Sequence, residues 1–331
     1  MKAAFVEKPG VITTRDIPVP AVGDGDVLIR VMASGICGTD IHIFHGQYLG
    51  TYPIIPGHEF SGVVEKVGSK VTRFKQEDHV AVEPNIACDN CPACLRNHQN
   101  FCENWNGIGV TLPGGMAEYV VAPEKAVFGI GDLPFNYGSF VEPLSCVLYG
   151  VARTGIRLGD RVLIIGAGPI GILLSKVIQL QGACEITQID KNAARLELAQ
   201  KSGAVRIEAS LDAIGQDFYD VVVDATGSPA VMGKTPGYAR YGGKILLFGV
   251  PPNDASLTMP AFPIFRKSLT ILSSYTSVRN SIQAVRLLQS GKVEVGSLIS
   301  HELPLDSLEQ GIHLIEEGKE GVRKVLIHPA L

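Results

Sequence analysis

Cys88-Asp-Asn-Cys91-Pro-Ala-Cys94 is followed by Cys102, so four thiols fall within fifteen residues. Thiols at this spacing on one loop can converge on a single tetrahedral ion, and four cysteines form a closed structural zinc set. Disulfide pairing is the competing arrangement. Met1-Lys2-Ala3-Ala4-Phe5-Val6-Glu7-Lys8 holds no apolar signal core, which gives the expectation of a reducing, cytoplasmic location where thiols hold metal. Upstream, Cys37 in Cys37-Gly-Thr39-Asp40-Ile-His42 and His58-Glu59 offer a thiolate, an imidazole and a carboxylate, the donor types of an open zinc site. Glu142, in Val141-Glu-Pro-Leu-Ser145, adds a second carboxylate. Taken singly, each has an ordinary structural role open to it: Cys37 as a small core residue, His58 as a hydrogen-bonded turn residue.

A different chemistry is written in Gly166-Ala-Gly168-Pro169-Ile170-Gly171. This turn follows the apolar run Arg161–Ile165 and opens a helical pattern, and Asp190 lies 19 residues past the last glycine, at the end of the next apolar run. That is the full context of a dinucleotide turn. Gly166 permits the tight turn, Gly168 lets a pyrophosphate reach the backbone, and Gly171 lets the helix pack close to the sheet. The helix N-terminus supplies free N–H groups and a positive dipole end. A carboxylate at 190 accepts hydrogen bonds from both ribose hydroxyls and repels a 2′-phosphate, so NAD is favoured over NADP. Arg195 softens that preference, since it could swing toward a phosphate.

The elements around these residues change character along the chain. Before about residue 150, short β-branched runs such as Val27–Met32, Phe60–Val67 and Glu118–Ala122 alternate with turns rich in Gly and Pro. From about Arg153, apolar strands (Arg161–Ile165, Cys184–Ile189, Tyr219–Asp224, Lys244–Phe248, Leu269–Ser273) alternate with helical patterns, the signature of a parallel sheet covered on both faces. Two amphipathic helices, Arg279–Gln289 and Leu305–Glu317, and a strand Lys324–Ile327 close the chain. The 331 residues suit about two domains. The apolar and charged fractions, 46% and 19%, are those of an ordinary globular protein. Net charge −4 without a basic run argues against nucleic acid, including a zinc ribbon, and no apolar run is long enough to span a membrane.

Together these pieces resemble the zinc-dependent medium-chain alcohol dehydrogenases along essentially the whole chain. The matching segments are Cys37-Gly-Thr-Asp40, Gly57-His-Glu-Phe-Ser-Gly-Val-Val64, the four-cysteine loop, Gly114-Gly-Met-Ala-Glu-Tyr119, Glu142-Pro-Leu144, the glycine turn and Asp224-Ala-Thr226-Gly227. The pattern is nearest the sorbitol (polyol) and threonine dehydrogenase branch, which has Glu-Pro-Leu where liver-type alcohol dehydrogenases have a second catalytic cysteine. The resemblance implies an α/β chain. It would have a GroES-like β-rich catalytic domain (1–144 and 277–331) and an inserted Rossmann, doubly wound parallel-sheet NAD-binding domain (145–276). It further implies an active site in the interdomain cleft, a homodimer or homotetramer, two zinc ions per subunit (one catalytic, one structural), NAD, and a small alcohol or polyol as substrate.

Carried over by motif, Cys37 and His58 are metal ligands, Glu59 is the third ligand or sits just behind the ion, and Glu142 binds it directly or through water. Asp40 would orient His58. Thr39 would take the alcohol proton and His42, with the cofactor ribose, pass it on. Gly166, Gly168, Pro169, Ile170, Gly171, Asp190, Arg195 and Thr226 would contact the cofactor, and Arg323 resembles a pyrophosphate-binding arginine. Three negative donors against a doubly charged ion should favour a chelating vicinal diol over ethanol. An amino alcohol, as in threonine dehydrogenase, a sugar-alcohol phosphate held by Arg266 and Lys267, or binding without turnover are the alternatives. The chain departs from the family pattern at Glu77-Asp78-His79-Val80, where Gly-Asp-Arg-Val is usual.

Overall fold

The structure, a computed structural model, describes residues 1–48, 51–319 and 321–330. It divides into two compact units, Met1–Ser145 with Val278–Leu331, and Cys146–Ser277.

The first unit is built on a seven-stranded sheet. Its spatial order is Ile299–Pro304, Lys324–His328, Asp26–Gly35, Glu59–Val67, His79–Val82 and Val127–Gly129, with Tyr119–Pro123 also pairing with Asp26–Gly35. Asp26–Gly35 is buried along most of its length and has three strands against it, so its run of β-branched and small residues packs on both faces. Register shifts at Leu28/Ile29 and Val31/Ala33 bend it against Glu59–Val67. Near its end, Gly35 pairs with Glu59 on one side and Leu326 on the other. Chain segments far apart in sequence thus meet beside the helix Gly38–Phe44. A cluster including Ile29, Val31, Phe60, Val64, Val80 and Val127 fills one part of this unit. Ile36, Phe44, Met116, Leu308, Ile312 and Val325 belong to a second cluster.

The second unit is a six-stranded, wholly parallel sheet ordered Arg206–Glu208, Glu185–Ile189, Arg161–Ile165, Tyr219–Asp224, Ala239–Leu247 and Thr270–Ser273. Numbered along the chain this is 3-2-1-4-5-6, the doubly wound dinucleotide order. The strand direction of winding reverses between Arg161–Ile165 and Tyr219–Asp224, and ligands of such sheets bind outside the carboxyl ends at that point. Ile165 pairs with Asp224 there, which places the Gly166 turn and the Asp224-Ala-Thr-Gly turn side by side.

Several elements differ from the sequence reading. The hairpin Lys2–Lys8/Val11–Asp16, the short helix Gly38–Phe44 and the strand Ile299–Pro304 were not anticipated. Helix Leu308–Glu317 starts after a 3₁₀ turn at Leu305–Ser307. At the atypical Glu77-Asp78-His79 the backbone keeps the conformation a glycine would take: Glu77 sits at φ 73°. The ring of His79 lies against Phe135 at 4.6 Å between centroids, and its Nδ1 is 3.1 Å from Gly131 O. A side chain in the left-handed region costs about 1–2 kcal/mol. Because the Glu77 side chain is exposed, Glu77→Gly should raise the stability of this unit by about 1 kcal/mol after the entropy of glycine is charged against it. Chemical denaturation of the two proteins measures this, and no gain would contradict it.

Candidate active site and metal centres

Helix Gly38–Phe44 is only seven residues long and needs its first turn secured. Asp40 does this: its Oδ2 accepts from the Cys37 backbone N–H at 2.8 Å, and its Oδ1 accepts from the Gly57 N–H at 3.0 Å. The same Oδ1 lies 3.5 Å from His58 Nδ1. One buried carboxylate therefore ties the segment bearing Cys37 to the segment bearing His58. Gly57 makes the joint possible, since its φ is +93° and a Cβ there would press on Met116 and Ser34.

The ligand atoms of Cys37, His58 and Glu59 all lie within 4.8 Å of one another, with His58 and Glu59 buried. Burial would lower the basicity of His58, but the Asp40 carboxylate and the Cys37 sulfur outweigh it and hold the ring well above the ordinary imidazole value. Burial and the Glu59 carboxylate push the Cys37 thiol up. Two anion-forming donors beside an imidazole, with Cys37 half-buried and the other two buried, form a cluster that a cation completes, so these residues fit a catalytic metal. With His58 Nδ1 turned to Asp40 at 3.5 Å, a neutral ring would have its other nitrogen free for an ion. Glu142, in the first turn of helix Val141–Thr154, is buried but lies outside this three-residue set. Thr39 and His42 follow Cys37 on helix Gly38–Phe44, and His42 Nδ1 is 3.3 Å from Gln47 Oε1.

Lys324 is the member of this site that sequence reasoning missed. Its Nζ forms an ion pair with Glu59 Oε2 and donates to Ile36 O at 3.0 Å. Burial would lower its pKa, but Glu59 and the Cys37 sulfur more than compensate and raise it. Next to it, Arg323 donates its backbone N–H to Ser300 Oγ at 2.9 Å, while its buried Nε has no protein partner. Lys267, weighed as an anion-binding residue, instead donates to Pro236 O at 2.7 Å and Ala239 O at 3.1 Å and pairs with Asp217.

The four-cysteine loop closes on itself. The sulfurs of Cys88, Cys91, Cys94 and Cys102 lie within 4.8 Å of one another. Cys102 Sγ is 3.5 Å from Cys88 Sγ and 3.9 Å from Cys91 Sγ. A tetrahedron with Zn–S bonds of about 2.3 Å has edges of about 3.8 Å, whereas a disulfide needs about 2.05 Å. Backbone N–H groups of Cys88 and Asn104 donate to Cys102 Sγ at 3.2 and 3.3 Å. The Asn90 N–H, with the Cys102 and Cys91 groups, draws the Cys88 thiol down to about 6. Donors aimed at Cys88 and Cys102 favour thiolate there, while burial pushes the Cys94 thiol up to about 12; the convergence of the four sulfurs at tetrahedral spacing is what fits zinc.

In the second unit Gly166 adopts φ +112°, and a Cβ on Gly171 would collide with Gly166 O. Gly168 N-caps helix Pro169–Leu180 without any side-chain cap, and a Cβ there would meet nothing within 4 Å. A first turn without a side-chain cap, with open space at Gly168, fits a pyrophosphate. Ile170 occupies the same first turn. Asp190 accepts from the N–H groups of Ala167 at 2.8 Å and Asn192 at 2.9 Å, with Arg195 Nη1 3.9 Å away. Thr226 Oγ1 donates to the buried Asp224 at 2.6 Å, which shapes the adjoining turn.

Comparison with known proteins identifies the family. Residues 23–132 match the family described as Alcohol dehydrogenase GroES-like domain, and residues 169–290 match Zinc-binding dehydrogenase. The D-altritol 5-dehydrogenase of Agrobacterium fabrum is 37% identical over 92% of both chains. The D-arabinitol dehydrogenase 1 of Uromyces fabae is 32% identical over 94% of this chain and 93% of its own. A putative zinc-binding dehydrogenase from Sinorhizobium meliloti, solved bound to NADP, superposes with a TM-score of 0.95 at 33% identity and 99% coverage of each chain. The chain belongs to the zinc-dependent medium-chain dehydrogenase family. It is an oxidoreductase with a GroES-like portion and a Rossmann-type parallel sheet.

The two metal sets differ in donor softness, four sulfurs against one sulfur, one nitrogen and one oxygen. Thiolate is the better match for zinc. Mild chelation of the purified protein should therefore remove one ion per chain quickly and leave a second in place. Metal analysis over time tests this; parallel loss of both ions would refute it.

Proposed function

We propose that this protein oxidises a secondary alcohol of a polyol or sugar alcohol, with NAD as hydride acceptor. The observation that carries the reading is the convergence of Cys37, His58 and Glu59 beside the helix bearing Thr39 and His42. The relatives named for D-altritol and D-arabinitol support the substrate class. Bound zinc would supply Lewis acidity at the alcohol oxygen and NAD the hydride acceptor. Residues 1–144 and 277–331 act as the catalytic domain and 145–276 as the coenzyme domain.

This chain's own groups then do the following. Asp40 fixes His58, and Thr39 accepts the substrate proton, which His42 relays onward. Glu142 acts at the metal directly or through water. Gly166, Gly168, Pro169, Ile170, Gly171 and Thr226 form the cofactor bed, Arg323 meets the pyrophosphate with its unpartnered Nε, and Asp190 selects the unphosphorylated ribose. The protein works in the reducing cytoplasm, where its seven free cysteines stay reduced. No helix among the described residues is long and apolar enough to cross a membrane. Self-association would use the edge strand Thr270–Ser273; Phe262 and Phe265, on the preceding helix Ala261–Arg266, are exposed, the latter to 80%. An open parallel edge is a surface that a second copy would cover.

Three outcomes check this reading. NAD reduction by the zinc-replete protein should be fastest with polyols carrying vicinal hydroxyls; equal efficiency with ethanol would sink the chelation argument. Thr39→Val should lower kcat by at least about a hundredfold, the usual scale for removing a proton-transfer group, with zinc content unchanged. Asp190→Ala should lower the NAD-over-NADP ratio of kcat/KM by about tenfold or more as the repulsion of a 2′-phosphate is lost; an unchanged ratio would remove Asp190 from cofactor choice.

A further inference from the structure

Two strands flank Asp26–Gly35 where it ends: Gly35 pairs with Glu59 on one and with Leu326 on the other. Lys324 begins the second strand, and its side chain reaches across the position where Gly35 has none. A Cβ on Gly35 would come within 2.5 Å of Glu59 Oε2 and 2.7 Å of Lys324 Cε. The side chains of Lys324 and Glu59 are 8% and 1% exposed, so the pair is sealed. A second tie, from Lys324 Nζ to Ile36 O at 3.0 Å, sits one residue before Cys37. A buried ion pair costs desolvation that a pair of apolar residues would not, and here it uses one of the three donors of the metal cluster.

We propose that Lys324 is a positioning residue that competes with the metal for Glu59. The proposal rests on reading Cys37, His58 and Glu59 as a metal centre. With Oε2 held by Lys324, Glu59 can give the ion at most one oxygen, and its charge is already countered. The carboxylate is thereby kept from closing the coordination shell, and the ion keeps more of its attraction for an incoming hydroxyl oxygen. Lys324 also changes the charge balance expected from the ligand types alone: the Glu59 carboxylate is met by a protein cation before any metal arrives.

The sign of one effect separates this role from simple support. Removing a residue that merely props up metal ligands loosens the ion, typically 10–100-fold. Removing Lys324 should tighten it, because an unpaired buried carboxylate is then left for the ion alone. The test uses full-length protein loaded with zinc, as wild type, Lys324→Met, Glu59→Gln and the double variant. The readouts are the rate at which a chelator strips the more labile ion and the visible spectrum after cobalt exchange into that site. The four-cysteine ion serves as internal reference.

Lys324→Met should hold the labile ion about tenfold longer or more. Its cobalt bands should change shape and lose intensity as Glu59 becomes a firm ligand, and its turnover should fall. In the Glu59→Gln background the Lys324 substitution should change neither metal readout. Faster metal loss from Lys324→Met, or the same effect without the Glu59 carboxylate, would overturn the proposal. If Lys324→Met fails to fold, Lys324→Gln, which can still donate to Ile36 O, carries the same expectation, and unchanged chelation kinetics would overturn it. Failure of the polyol reading would appear as wild-type protein without turnover on polyols, leaving the metal readouts intact.

Discussion

The Asp40 carboxylate, buried and shared between two backbone N–H groups and an imidazole, is the interaction on which the catalytic cluster depends. Cys37 lies at the end of one strand's chain segment and His58 at the start of another. Neither the short helix nor the left-handed turn at Gly57 would hold them within reach unaided. Bonds to a charged acceptor are stronger than neutral ones, and a buried N–H deprived of its acceptor costs about 1–3 kcal/mol. Asp40 serves two such N–H groups, so the geometry of two donors is fixed by one side chain. Its Oδ1 also lies 3.5 Å from His58 Nδ1, which would leave the other ring nitrogen for an ion.

What could be read from the sequence follows the distance over which each interaction acts. The four-cysteine loop and the glycine turn are local: spacing within fifteen residues, or a strand, turn and helix in succession, is enough to state the chemistry. The parallel sheet was legible because strands buried on both faces are continuously apolar, as in Val162–Ile165 and Val221–Val223. Cys37, His58 and Glu59 became readable as a set through their resemblance to a family pattern. Lys324 was not legible, because its meeting with Glu59 depends on strand register across most of the chain and on the missing side chain of Gly35. A lysine opening an apolar strand looks like an ordinary solvated strand end. The helix Gly38–Phe44 escaped notice because seven residues show too little periodicity, and its stability comes from capping. Glu77 shows the reverse case: the turn kept its left-handed backbone although the residue suited to it is absent.

The two cysteine-containing metal sets illustrate how one ion type can be given two behaviours. In the loop, amide groups of Cys88 and Asn104 point at Cys102. Asp89, with φ +62° in the same loop, is held by Lys125 at 2.8 Å and Arg279 at 3.5 Å. Everything there secures the loop around its sulfurs. At the other set the chain supplies one sulfur, one ring nitrogen and one carboxylate, and neighbouring groups act on the donors individually: Asp40 on His58, Lys324 on Glu59.

Charge gives these arrangements their chemical meaning. Four thiolates exceed the two positive charges of a zinc ion, so a loop of that kind leaves little pull for an outside oxygen and suits a structural role. One thiolate and a carboxylate already answered by Lys324 cancel much less of the same charge. Were zinc held by Cys37, His58 and Glu59, an alcohol oxygen would meet a net attraction in a setting of low dielectric, where attraction is strongest. On the proposed reading, the sheet register that brings Lys324 over Gly35 would belong to the reaction chemistry along with the three donors, through the contacts of Lys324 Nζ with Glu59 and with the backbone before Cys37.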